Sequence, residues 1–287
     1  MDMLRGNYNM KFSQKMTLLI CAFLLCFIVT VMLNTLILSI TGVNSILYIN
    51  LSIVTQNLLA FVLPVVITAA FISTKPLSFL QLDRMPTMKS LVFMLAVYVA
   101  MTPVMNYIVD WNAGISLPDS MSGLEEWMRT AENSAKAVTD RILGENNILL
   151  SILLVGILTG FSEEMLFRGG LQRILVSRPV NAHVAIWVTA FVFSAIHFQF
   201  FGFVPRLLIG AFCGYAAYWT GSLWTAVIAH ALNNTTVIVA TAVNSAFGCN
   251  LDNLGVVSDR EFPILALVSL LMTVFLIYLY QRNRRNK

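Results

Sequence analysis

The strongest constraint on this chain is the succession of long apolar runs along its 287 residues. A helix crossing a bilayer needs about 20 mostly apolar residues, because the hydrocarbon core is about 30 Å thick and each residue adds 1.5 Å. Eight runs meet or approach this length, at 16–40, 47–72, 90–109, 147–168, 184–200, 203–219, 222–244 and 263–280. Hydrocarbon offers no partner to backbone N–H and C=O groups, so such runs are predicted to be helices. The expected fold is all-α, a polytopic transmembrane helix bundle of about eight spans, with 1–287 forming a single transmembrane domain. The first run is longer than a signal-peptide core and lacks a small-residue cleavage site, so it is read as a retained span.

The polar residues agree with this reading. Only 11% of the chain is charged and 58% is hydrophobic, whereas soluble domains carry about 25% charged residues. The net charge of +4 comes from short basic clusters beside the apolar runs, which act as topology signals and leave no footprint for nucleic acid. Arg5, Lys11 and Lys15 precede the first run, and Arg282, Arg284, Arg285 and Lys287 follow the last. Both termini are therefore expected to be cytoplasmic, with Lys75, Arg84, Lys89, Arg168, Arg173 and Arg178 on the same side. The connection 110–145 is mainly acidic and is expected to be extracytoplasmic. Within it Leu124, Trp127, Met128 and Ala131 recur at helical spacing, as in an amphipathic helix lying on the membrane surface. Cys21, Cys26 and Cys213 lie in apolar runs and Cys249 in a loop, so no disulfide framework or metal knuckle can be drawn.

Ionisable groups inside spans usually face a bundle interior or a wet cavity. Three sets stand out, and 147–244, which holds them, is the candidate catalytic core. In "EEMLFRG", Glu164 and Arg168 are four apart and can pair on a helix, while Glu163 points about 100° away and stays free to handle protons. The plain alternative is an interfacial ion pair with Arg168 snorkelling to the headgroups. Pro179 makes Arg178 a helix boundary. "FSAIH" places Phe193 and His197 in the fifth run; "HALNN" places His230 and Asn234 on one helix face in the seventh. A lone intramembrane histidine or asparagine is usually interhelical glue, but two of the three histidines fall in these runs. Together the sets suit amide hydrolysis. A glutamate and a histidine can deprotonate a water, and a second imidazole with a carboxamide can stabilise an oxyanion.

EExxxR, FxxxH and HxxxN, in this order on successive late spans, resemble the motifs of the CPBP (CAAX protease and bacteriocin-processing, Abi) family of intramembrane glutamic endopeptidases. That family includes the type II CAAX prenyl endopeptidases. The resemblance implies an intramembrane endopeptidase in which Glu163 and His197 activate water and His230 and Asn234 form the oxyanion site, supported by Glu164, Arg168 and Phe193. It also implies an eight-helix bundle whose cavity opens toward the cytoplasm, with no cofactor. The substrate would be a peptide or membrane-protein tail, lipidated or not, met within membrane lipid. The expected location is integral and multi-pass, in a prokaryotic plasma membrane.

Other readings are available to the same residues. Glu163, Glu164, His197 and His230 could supply zinc ligands, although no HExxH is present. Ser162 and Ser222 lack a nucleophile-elbow context. A non-catalytic peptide-binding or immunity protein would carry the same set without using it. His183 is expected in a solvated loop and Arg206 at an interfacial anchor. Asn34, Asn50, Gln56 and Asn57 are expected in interhelical hydrogen bonds, and Trp111, Trp219 and Trp224 in an aromatic belt. The run boundaries put Glu163 about 6 Å, His230 about 12 Å and His197 about 20 Å from the inner face. The set can therefore converge only if the fifth run starts outside the hydrocarbon, as Asn181-Ala182-His183 permits, or if runs four and five tilt strongly.

Overall fold

The computed structural model describes residues 10–176, 181–247 and 262–285, and these contain helices and no strand. The main helices are α1 (Phe12–Thr41), α2 (Ile46–Ile72), α3 (Met88–Ala113), α4 (Ser122–Glu145), α5 (Ile148–Val176), α6 (Ala182–Ala195), α7 (Phe203–Thr220), α8 (Leu223–Phe247) and α9 (Phe262–Arg285). Seven of them, all but α4 and α6, are long and apolar enough to cross a bilayer, which makes this an all-α integral membrane protein. The expected boundary at Arg178 and the loop position of Cys249 lie outside the described residues.

Two expected boundaries are wrong, and they matter for the site. The fifth run does not form a full span. α6 has 14 residues and so a length of about 21 Å. It stops because Phe198 takes a left-handed backbone (φ 52°), after which a 3-10 turn at Phe200–Gly202 reverses the chain into α7. The fourth run, by contrast, extends eight residues past Arg168, to Val176. Its polar residues stay in the helix because neighbouring backbone carbonyls accept from them. Gln172 Nε2 donates to Gly214 O at 3.0 Å, and Arg173 Nε to Phe79 O at 3.0 Å.

α5 is the hub. It packs against α8 along most of its length and meets α2, α6 and α7. Only 17% and 11% of the most apolar stretches of α1 and α9 are buried, against 44% and 50% in α5 and the α7 span. The outer helices therefore turn apolar side chains outward, as lipid permits. The α5–α8 seam is set by small residues four apart. A Cβ on Gly160 would lie 3.1 Å from Ala231 N and 3.2 Å from its Cα, and one on Gly156 would lie 2.8 Å from Thr235 Oγ1. Such spacing lets two backbones approach closely in a medium where apolar contact alone gives no preference for protein over lipid.

Polar side chains repair or bridge the helices. Pro103 interrupts α3 and removes a backbone donor. Ser269 of α9 fills the break, its hydroxyl donating to Ala100 O at 2.5 Å and accepting from Val104 N at 3.1 Å. α2 passes through a wider π-helical turn at Gln56–Val62 just before Pro64, whose ring would crowd a tight α-turn. Thr55 Oγ1 donates to Asn34 Oδ1 at 2.5 Å, and Asn50 and Asn146 exchange amide hydrogen bonds at 2.9 and 2.8 Å. Asn57 Nδ2 donates to Thr159 Oγ1 at 3.2 Å, joining α2 to α5. The interhelical role expected of Asn34 and Asn57 is thus what they adopt, while Asn50 ties α2 to the turn between α4 and α5.

The segment 110–145 is mostly α4, which packs over one end of the bundle. Leu117 N–H and Arg129 both donate to Glu125, at 2.7 and 2.8 Å, and hold its carboxyl below the usual range. Trp127 lies 5.6 Å from the Phe200 ring, and Glu132 Oε2 accepts from Phe201 N at 3.1 Å.

Two substitutions test this packing. Ser269→Ala is expected to lower stability by about 1–3 kcal/mol, because the Val104 N–H and Ala100 C=O lose their bridge inside the bundle. Gly160→Val is expected to cost at least about 1–3 kcal/mol by overpacking against the α8 backbone. Thermal unfolding of the detergent-purified variants reads both, and Gly123→Val, where a Cβ meets nothing within 4 Å, serves as the neutral control.

Candidate active site

Midway along α5 a single α-helical turn, Thr159–Glu164, lies between two π-helical stretches, Ile152–Leu158 and Met165–Gln172. Wider turns of this kind are frequent at functional sites, since they rotate side chains off the regular stripe. Here the turn carries both glutamates. Glu164 is fully buried, and its Oε1 accepts from Arg168 Nη1 at 2.6 Å and from His230 Nδ1 at 2.7 Å. Arg168 Nη2 donates to Gly210 O at 2.6 Å. Arg168 is 3% exposed, so it does not snorkel, and the interfacial-pair alternative does not describe it.

Glu163 faces the other way, into a cavity. Its two oxygens lie between two imidazoles, with Oε1 3.8 Å from His197 Nε2 and Oε2 3.5 Å from His230 Nε2. These separations exceed good hydrogen-bond lengths and suit a small molecule shared between the groups. The tautomers follow from the partners. His197 Nδ1 faces Phe193 O at 2.7 Å, and a carbonyl can only accept, so Nδ1 carries the proton and Nε2 presents a lone pair to Glu163. The same bond satisfies an orphan carbonyl at the C-terminal end of α6. His230 Nδ1 donates to Glu164 in the same way, which aims its Nε2 at Glu163.

Phe193 seats the imidazoles. Its ring lies edge-on 5.0 Å from His197 and 5.7 Å from His230, with Arg168 stacked 4.9 Å from its centre. Asn234 lines the cavity one turn beyond His230, and its Nδ2 donates to Val155 O at 3.1 Å. The amide has a second N–H.

The convergence that the run boundaries made difficult is achieved by the two corrected lengths. Counting back from Val176, Glu163 lies about 20 Å along α5, and the whole of α6 is about 21 Å, so the short helix ends at the level of Glu163. His197 sits just past that end, in the turn and not within a span.

The cavity has a volume of about 610 Å³. Several of its lining residues were not singled out by the sequence, among them Thr159, Gln199 and Asn233. Arg206 is not an interfacial anchor. It lines the cavity and donates to Gln199 O at 3.3 Å and to Gln199 Oε1. The contact arises because α6 stops early and folds Gln199 back over the first turn of α7, which no local pattern signals. Gln172, Gly210 and Gly214 were also missed; the four-residue spacing of the two glycines is the signal that could have found them. His183 is not in a loop but in the first turn of α6, 2.8 Å from Tyr215 OH. The hydroxyls of Ser162 and Ser222 are taken up by Asn57 Oδ1 and Arg84 O. Among the described residues, no three His, Cys, Asp or Glu side chains are arranged to share a metal ion.

Comparison with known proteins locates the similarity on this site. Residues 145–236 match the family described as Rce1-like, type II CAAX prenyl endopeptidase Rce1-like. The chain is 32% identical over 83 residues to the uncharacterized protein YpbD of Bacillus subtilis (strain 168). That match covers 28% of this chain and 39% of the relative, so the chain spans about two fifths of the relative's length. No solved structure matches. The segment that supplies both glutamates, both histidines and Asn234 is therefore Rce1-like, and the family resemblance carried by the three sequence motifs stands on residues 145–236.

Proposed function

We propose that this protein is an intramembrane endopeptidase that hydrolyses a peptide bond with water activated by Glu163 and His197, without a metal. The observation that carries this reading is the placement of the Glu163 carboxylate between two imidazole Nε2 atoms, at 3.8 and 3.5 Å, at the wall of a cavity. A water held between Glu163 and the lone pair of His197 Nε2 gives a proton to the carboxylate as its oxygen bonds to the scissile carbonyl carbon. His230, with Nδ1–H fixed by Glu164, donates from Nε2 as an imidazolium, and the second N–H of Asn234 joins it on the oxyanion. Collapse breaks the C–N bond, and the proton held by Glu163 passes to the leaving amine. Glu164 and Arg168 touch no reacting atom in this scheme. They position His230 and keep a negative charge beside it.

The Rce1-like match of residues 145–236 supports a peptide or membrane-protein tail as substrate, and an apolar, lipid-facing surround suits a lipidated one. The bacterial relative supports a prokaryotic plasma membrane.

The two glutamates are expected to separate cleanly. Glu163→Gln should lower cleavage of a peptide library by the purified protein about 10²- to 10⁴-fold and leave the unfolding temperature nearly unchanged. Glu164→Gln should lose activity and stability together, by about 3–5 kcal/mol, because Arg168 is left buried without its counter-charge. A peptide-binding or immunity protein would keep its function in Glu163→Gln, an outcome that would remove the catalytic reading. Cleavage by wild-type protein is expected to be insensitive to a chelator; loss of activity restored by added zinc would replace the metal-free scheme with a zinc-dependent one.

A further inference from the structure

The cavity runs from the bundle's mid-level toward one end. α3 contributes Met105, Asn106 and Val109 from its C-terminal half, α5 contributes Glu163 from its middle and Thr159 and Val155 from its N-terminal half, and α8 contributes residues from His230 onward. All of these lead toward the end covered by α4, whose Thr139 and Leu143 form part of the wall. The site therefore opens at the α4 end. This makes two expectations incompatible: α4 cannot be extracytoplasmic while the cavity opens to the cytoplasm.

Charge decides between them. The opposite end holds Lys11 and Lys15 at the start of α1, Lys75, Arg84 and Lys89 in and beside the α2–α3 connection, Arg173 near the end of α5, and Arg282, Arg284 and Arg285 at the end of α9. Its acidic content is slight, with Asp83 between α2 and α3. At the α4 end, Arg129 and Arg141 are each tied to a glutamate four residues away, at 2.6 Å, Lys136 is outnumbered on α4 by Glu125, Glu126, Glu132, Asp140 and Glu145, and Arg206 is turned into the cavity. Lysines and arginines in short connections remain on the cytoplasmic side, so the end opposite α4 is cytoplasmic.

We infer that the site opens to the extracytoplasmic face, and that its substrate is a peptide segment or membrane-protein tail exposed on that face. This rests on the peptidase reading for the word substrate, but not for the side on which the cavity opens. A tail that stays in the cytoplasm would have to pass the packed inner half of the bundle, where Glu164, Arg168 and Gln172 are buried, to reach Glu163.

Single-cysteine labelling tests the inference on the whole chain in intact cells. The background carries Cys21→Ser and Cys249→Ser and keeps the buried Cys26 and Cys213. Thr139→Cys reports the cavity wall and Lys89→Cys, on an exposed residue, the opposite end. A membrane-impermeant maleimide should label Thr139→Cys in intact cells and Lys89→Cys only after lysis. The reverse pattern overturns the inference. A second arm adds an impermeant peptide library to right-side-out and inverted vesicles. Cleavage confined to right-side-out vesicles supports the inference, and cleavage confined to inverted ones overturns it. If neither vesicle cleaves while the labelling holds, the peptidase reading fails and the extracytoplasmic opening stands.

Discussion

The structure depends on one shared atom. Glu164 Oε1 accepts from both Arg168 and His230 in the interior of the bundle, where neither charge can turn to water. In a low-dielectric interior an ion pair is tolerable only when its members are mutually satisfied, and removal of one strands the other. This fixes three helices at once. Arg168 and Gln172 extend from α5 to the carbonyls of Gly210 and Gly214 on α7, one turn apart on both helices, and His230 ties in α8. With its neighbour so constrained, Glu163 is free to face the cavity, and the two adjacent carboxylates come to have different surroundings.

Small residues make that lattice geometrically possible. The glycines of α5 admit the α8 backbone, and on α7 a Cβ at Gly210 would lie 3.1 Å from the Phe193 ring and one at Gly214 only 2.9 Å from Ile186. The same glycines that bring α6 close expose the carbonyls that receive Arg168 and Gln172. Close packing and the hydrogen bonds of Arg168 and Gln172 thus use the same positions, as expected where apolar side chains gain nothing by leaving lipid for protein.

The short α6 is the element that converts this scaffold into a site. By ending in the left-handed turn at Phe198, the chain leaves the His197 ring at a helix terminus, where the free carbonyl of Phe193 sets its tautomer. The irregular backbone that follows is sheltered by α4 and lines the cavity, which is where a membrane protein can accommodate it.

The sequence by itself determined the class of fold, because runs of about 20 apolar residues admit few structures but spanning helices. It also singled out Glu163, Glu164, Arg168, Phe193, His197, His230 and Asn234, because polar groups are costly in such runs and stand out against them. The tertiary structure decided the rest. Hydropathy alone could not mark the end of α6 or the continuation of α5, since a turn of Phe, Gln and His remains apolar enough to read as span and Arg173 polar enough to read as its end. Arg206 and Gln199 entered the cavity only through that turn, and the side on which the cavity opens followed only once the helices were assembled. Local composition records what each segment can tolerate, while convergence depends on helix lengths and contacts between residues far apart in the chain.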